Sequence, residues 1–416
     1  MGGYAKMRLS ILIVLLFFYS GASATIIHAG AEQKYKSVTA AVEAASSGDT
    51  VLVDAGYYRE KKLEIKKTIV LKGINYPVLD GQNKYEVIYV KANGVVIDGF
   101  RVINSGISSI DDISGIKVVD SKNIIIRNNI LENNFFGIQI QNGINCFIEN
   151  NKLKANSKEE QQSGNGIHCW KSDSVKIIGN TISGHRDGIY FEFVTNSIIK
   201  RNNSQKNLRY GLHFMFSNND SYVENIFMNN GAGVSVMYSH HVNMQQNIFQ
   251  ENWGDGSYGI LLKEITDSKI MNNRFIKNTI GIFMEGVSRV AMSNNIFQQN
   301  GWGMKIQASC MDIVIKQNNF IGNTFDVSTN GSLVLNKFDG NYWDKYEGYD
   351  LDKNKIGDVP FRPVSLYSVI IEKNPPAVIL FRSFITTLLD KTEKVLPSLT
   401  PENLIDNIPN MKPFKL

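Results

Sequence analysis

A glycine followed by an apolar alternation recurs through the middle of the chain: GIKVV at 115, GIQIQ at 137, GIHCW at 166, GIYFE at 188, GLHFM at 211, GVSVM at 233, GILLK at 259, GIFME at 281 and GMKIQ at 303. The spacings are 22, 29, 22, 23, 22, 26, 22 and 22 residues, and the two long gaps hold the insertions SKEEQQSGN and WGDGSY. A unit this short cannot bury a core alone, so repetition at this period predicts a solenoid in which each repeat is one coil. Leucine-rich repeats share the period but need an L-x-x-L-x-L core and an asparagine at fixed offset, which are absent. Each unit here carries a second β-rich run (IIIRNN, VKIIGN, VAMSNN) and a third short one (NIFQ, NRFI). Three short strands per coil describe an all-β, right-handed parallel β-helix.

Asparagine supports that register. Nineteen residues after the repeat glycine stand Asn134, Asn156, His185, Asn207, Asn230, Asn252, Asn278 and Asn300. Stacked amides can bond along the axis, and asparagine tolerates a left-handed turn. The fold expected is a pectin-lyase-like solenoid with an N-terminal cap and a C-terminal amphipathic tail. Residues 25–93 are read as the cap and first coils, with a short helix in YKSVTAAVEAASSGDTVLVDAGYY ending at a Gly48-Asp49 turn. Residues 94–335 are the repeats, 336–374 a C-terminal cap with an Asp/Asn loop, and 375–416 an amphipathic docking tail. An open β-helix end must be covered, because exposed strand edges invite association.

The first 24 residues form a separate object. Lys6 and Arg8 precede the apolar run LSILIVLLFFY, then small residues end at Ala24. This is the pattern of a secretory signal with an A-x-A cleavage site, a retained anchor being the alternative. Without it the chain has 42 basic and 39 acidic residues, a net charge of +3. With no block of like charge and no basic stripe, nucleic acid is not an expected partner. The three cysteines, Cys146, Cys169 and Cys310, are odd in number and far apart, so they form no disulfide framework.

Counting from the repeat glycine separates two faces, because residues two apart in a strand share a side. Offsets +1 and +3 are apolar and fill the bore: Ile116, Ile138, Ile167, Ile189, Leu212 and Val234, then Val118, Ile140, Cys169, Phe191, Phe214 and Val236. Cys169 and Cys146 are accordingly read as buried small hydrophobes. Offsets +2 and +4 face outward, and in coils three to six they display His168, Trp170, Tyr190, Glu192, His213, Met215 and Met237. Imidazole and thioether together suit Cu(I), whereas hard ions prefer carboxylates. Met215 and Met237 stand on adjacent coils, ~4.8 Å apart at the backbone, with His213 ~6–7 Å from Met215 along the strand. His168, about 10 Å from His213 by the same spacing, would serve a second position. A solvated strip or a protein interface is the alternative. The competing chemistry, polysaccharide cleavage by paired carboxylates, fits poorly. Glu192 and Glu285 are four coils, roughly 19 Å, apart, against the ~5–9.5 Å of glycosidic pairs. Asp187 could approach Glu192 across the turn.

Other signals are weaker. His185 holds an asparagine-ladder offset and reads as a turn residue. His240 and His241, in MYSHHVNM beside Met244, are expected to point apart as neighbours on a turn. In DLDKNKIGD, Asp350, Asp352, Asn354, the Ile356 carbonyl and Asp358 follow the 1-3-5-7-9 oxygen spacing of a calcium loop. Lys355 replaces the usual glycine and Phe361 the terminal glutamate, so the loop is not an EF-hand, and a solvated Asp/Asn turn is the alternative.

The phrases GHRDGIYFEFV, NLRYGLHFMFSN, NGAGVSVMYS, GWGMKIQASC, NGSLVLNKFDGNYWDKYEGYD, DVPFRPVSLYS and PSLTPENL resemble the NosD family of nitrous oxide reductase maturation proteins, over essentially the whole mature chain. The resemblance implies a non-enzymatic periplasmic β-helix, peripheral to the inner membrane, that works with an ABC transporter. It further implies handling of Cu(I) received from a lipoprotein copper chaperone and delivered for the copper-sulfur centre of nitrous oxide reductase. It assigns 375–416 to docking on the membrane subunit of the transporter. A metal-free scaffold joining transporter to reductase stays open, as does a polysaccharide-binding or polysaccharide-modifying enzyme.

Overall fold

The computed structural model describes residues 24–108, 111–331, 335–395 and 404–415. The signal segment lies outside them, apart from Ala24. Three parallel sheets of 14, 12 and 13 strands run along the axis of a right-handed β-helix, each strand pairing with its equivalents in the coils before and after. The register is that of the repeat: Leu212 pairs with Ile189 and Val234, and Phe214 with Phe191 and Val236.

The repeat glycine is required by proximity to the next coil. A Cβ on Gly211 would lie 2.8 Å from the Gly233 carbonyl oxygen, and one on Gly259 would lie 2.6 Å from that of Gly281. These are distances no side chain tolerates, so the column must be glycine, and it marks the register from which residues alternate inward. Offsets +1 and +3 are fully buried, including Cys169. Cys146 is buried as well, and burial pushes its thiol up to about 11. On the third face Phe227, Phe249, Phe275, Phe297, Phe320 and Trp343 stack successively with ring centroids 4.1–5.5 Å apart.

Asparagine works differently from the single ladder expected. In Asn-Asn pairs the first residue takes the left-handed conformation, as at Asn128, Asn150, Asn272 and Asn294, and the second turns inward and bonds along the axis. The main ladder runs Asn129, Asn151, Asn180, Asn202, Asn225, Asn247, Asn273, Asn295, Asn318, Asn341, a column the +19 offset misses. The +19 column is a second ladder from Asn207 to Asn323. The His185 backbone N–H donates to the Asn207 carboxamide at its head, and Asn156 is excluded. Asn156 is exposed and donates to Asn133, because the insertion that follows leaves the coil.

The ends are closed. Helix α1, Val38–Ala44, is capped by Ser37 and buries Val38, Ala41 and Val42 over the first coils. At the other end the expected 375–416 tail divides. Pro375–Leu380 is a 3-10 turn, Arg382 is left-handed, and a separate helix spans Phe384–Val395 behind helix Leu366–Lys373. Residues 404–415 are no tail. Leu404 is buried, and the buried Asp406 carboxylate accepts from the Asn341 backbone and side chain and from Trp343 Nε1 at 2.8–3.1 Å, terminating the main ladder. Phe414 exchanges two hydrogen bonds with Asn319.

Candidate soft-metal site

The outer face lies on the 12-stranded sheet. Its +2 column runs Gln139, His168, Tyr190, His213, Ser235 and its +4 column Gln141, Trp170, Glu192, Met215, Met237, each in strict register. The inward/outward assignment therefore holds. The expected openness does not: His213 is 6% exposed, and Gln139 and Ser235 are buried. The residues that enter each strand fold over this column. Asp187, itself buried, accepts from the Tyr210 N–H at 3.3 Å and lies 3.8 Å from Arg186, 3.7 Å from Arg209 and 3.9 Å from His213 Nδ1. Arg209 also reaches Glu160 of the first insertion at 4.0 Å, tying that loop to the cover.

Beneath it the rings form a column. His168 and Tyr190 have centroids 4.8 Å apart, as do Tyr190 and His213, and Tyr210 flanks His213 at 4.9 Å. Tyr190 thus stands between the two histidines and keeps His168 from sharing an ion with His213. Burial drives the His168 imidazole down to about 4 and the Tyr190 hydroxyl up to about 12, so both are neutral near pH 7. Both ring nitrogens of His168 and of His213 are buried without a hydrogen-bond partner in the protein, as are Ser235 Oγ and Asp187 Oδ2. Buried polar atoms without a protein partner are ones whose bonding a bound water or an ion completes.

Met215 and Met237 are register partners on adjacent strands, both half-buried, and the Tyr190 hydroxyl donates to Met215 Sδ at 3.6 Å. Imidazole and two thioethers make a neutral donor set, the chemistry of a soft monovalent cation, while the Asp187 carboxylate behind them is already paired with Arg186 and Arg209. Cys169 is excluded, since it points into the bore from the strand that carries His168.

His185 is buried with both ring nitrogens unpartnered, and burial brings it down to about 4. Met244 is core, not a neighbour of the histidine turn. His240 and His241 do not point apart: their Nδ1 atoms stand 2.7 Å from each other. Calcium at the 350–358 loop is not supported. The Asp350 carboxylate accepts from Asn354 and Lys355 N–H, Asp352 from the Asn354 N–H and carboxamide, Asn354 from Ile356 and Asp358 from Leu351, so the loop's own donors use these oxygens. Among the described residues no three His, Cys, Asp or Glu side chains converge to hold a metal ion. Glu285 pairs with Lys263 at 3.4 Å, and Asp187 is enclosed by arginines, so no acid/base pair forms with Glu192.

Sequence reasoning overlooked a ridge beside the methionines. Phe193, Phe216 and Tyr238, at offset +5, are exposed, left-handed and stacked 5.1–5.2 Å apart. Equivalent positions hold Asp120, Asn142 and Lys171, so three successive aromatics at a turn offset were the available signal.

Residues 156–348 match the family described as "Periplasmic copper-binding protein (NosD)". A Pseudomonas aeruginosa protein named "Probable ABC transporter binding protein NosD" is 27% identical over 353 residues, covering 80% of this chain and 82% of that protein. Among solved structures, the catalytic unit of a GH87 α-1,3-glucanase from Streptomyces thermodiastaticus superimposes with TM-score 0.59 at 12% identity, over 76% of this chain and 65% of that one. A family 28 exopolygalacturonase from Yersinia enterocolitica gives 0.52 at 11%, over 76% and 79%. At such identities these two likenesses carry the fold alone.

Proposed function

The chain belongs to the NosD family, and from that premise we propose that it is a periplasmic, non-enzymatic accessory protein that holds Cu(I) for the maturation of nitrous oxide reductase. The observation that carries the metal assignment is the pair Met215 and Met237, in register on adjacent coils, beside His213, whose buried ring nitrogens have no partner in the protein. The family description as copper-binding and the fit of these donors to a soft ion support it. Copper is the cargo. His168, set apart by Tyr190, serves as a transfer position and holds no ion of its own.

The transporter link rests on the relative named as an ABC transporter binding protein and on an apolar surface at the C-terminal end. Ile379 is 86% and Phe384 80% exposed, with Ile385 and Leu388 alongside. No helix among the described residues is long and apolar enough to cross a membrane. This segment is the docking element for the transporter's membrane subunit, and the lipoprotein copper chaperone and the reductase are the donor and recipient.

Anaerobic Cu(I) competition titration of the mature protein tests the site. One equivalent should disappear in the variant His213→Ala/Met215→Ala/Met237→Ala, and unchanged stoichiometry would remove these residues from the site. For docking, Ile379→Ser/Phe384→Ser should abolish co-purification with the transporter while the fold persists. A retained complex would place the contact elsewhere.

A further inference from the structure

A second soft-cation site lies a few residues from the first. Neighbours in a strand normally face opposite ways. His241, however, has φ +56, which swings its side chain back toward that of His240, and the two Nδ1 atoms approach to 2.7 Å with the rings at 83°. The backbone that presents them is held from both sides. The His240 N–H donates to Asn218 Oδ1 at 2.9 Å, the His240 carbonyl accepts from Asn219, and the His241 N–H donates to the Thr266 carbonyl at 3.2 Å. Both imidazoles are exposed and make no core contact.

Two imidazole nitrogens at that distance cannot both be donors, so a proton or a cation lies between them. The coordination number selects the cation. Zinc takes four ligands and calcium six or more oxygens. The nearest carboxylate in register, Asp267, has both oxygens bound by Arg289 at 2.7 Å. Two nitrogens alone satisfy Cu(I), which accepts linear coordination. With metal–nitrogen bonds of about 2 Å the rings need only part by a little more than about 1 Å, a movement open to exposed side chains.

We propose that His240 and His241 form a two-coordinate Cu(I) acceptor site at the outer rim of the methionine face. This rests on the copper-handling reading above. Placement gives it a role: Met237 lies three residues before His240 in Ala232–His240, across the left-handed corner at Tyr238, so no more than about 10 Å away. From the exposed pair, through half-buried Met237 and Met215, to buried His213, the donors form a line of decreasing exposure. An ion captured from a donor protein at the rim is passed inward by exchange of one neutral ligand for the next, with no change of oxidation state.

Silver(I), which mimics Cu(I) and is redox-inert, is the probe. Isothermal titration should give two equivalents for the mature protein and one for His240→Asn/His241→Asn, a substitution that suits the left-handed turn. Imidazole 15N resonances of His240 and His241 should shift during the titration. If the double variant still binds two equivalents, or those resonances stay fixed, the rim site is overturned while the buried one stands. If the wild type binds no Ag(I), both readings fail. Loss of one equivalent in the His213/Met215/Met237 variant with the His240 and His241 shifts retained separates the two sites.

Discussion

Two columns of side chains run along the same axis and meet opposite fates. The asparagine ladder is buried and satisfied: Asn247 donates to the Tyr222 carbonyl and to Asn273 Oδ1 at 2.9–3.0 Å, and its own oxygen accepts from the Asn225 backbone and side chain. The ring column His168, Tyr190, His213 is less fully buried as whole residues, but its imidazole nitrogens are buried and have no protein partner. Identical coil spacing serves both, so the backbone does not explain the difference. The ladder spends its polar groups on stability, while the ring column withholds them, which a fold can sustain where a ligand completes the bonding.

Breaking the satisfied column should have the largest effect. Asn247→Ala removes four bonds, those from the Asn225 N–H and carboxamide and those to the Tyr222 carbonyl and Asn273, and leaves the Asn225 N–H without its partner in a dry interior. Several lost charge-neutral bonds, at about 1–3 kcal/mol for each stranded group, predict destabilisation of about 3–5 kcal/mol. Chemical denaturation of the two proteins measures it. A change under about 1 kcal/mol would mean that the ladder contributes register only.

Converting an unsatisfied member into a ladder member comes next. His185 sits at the head of the second ladder and burial holds its imidazole down at about 4, against an ordinary 6.5. The unfolded chain therefore binds the extra proton between those values, so the stability is present above pH 6.5 and falls as pH drops toward 4. The shift corresponds to about 3 kcal/mol at most. His185→Asn should remove that slope, leaving the parallel one from His168. Asp220, which burial raises to about 8, acts in the opposite sense in both proteins and cancels in the difference. Equal acid dependence of variant and wild type would show that His185 is not buried neutral.

How much of this was legible follows from which forces act locally. The glycine column and the +1/+3 apolar positions announced the coil, because close approach and bore filling admit few residue types. Met215 and Met237 were legible as partners for the same reason. The cover was not: Asp187 meets His213, and gathers Arg186 and Arg209, only through turns of neighbouring coils and a loop, a tertiary event that offset counting cannot see. The convergence of His240 and His241 depended on one backbone angle. The closing role of Asp406 depended on the chain returning to Asn341 across a separation of 65 residues.

The sharpest test of the comparison is the smallest in energy. If the ring column is kept for binding, replacing His213 by an apolar ring should improve the metal-free protein while ending its use. Phenylalanine fits between Tyr190 and Tyr210, whose rings lie 4.8 and 4.9 Å from the imidazole, and it brings no nitrogens to strand. Asp187 keeps Arg186 and Arg209. Removing an unsatisfied polar ring in favour of an apolar one is neutral or stabilising, so His213→Phe should raise apo stability by about 1 kcal/mol. The same variant should lose the stabilisation that wild type gains on adding Cu(I), because ligand binding to the native state alone raises stability by mass action. A variant less stable than wild type without metal would place His213 among the structural residues, and one that keeps the full Cu(I)-induced gain would move the site away from it.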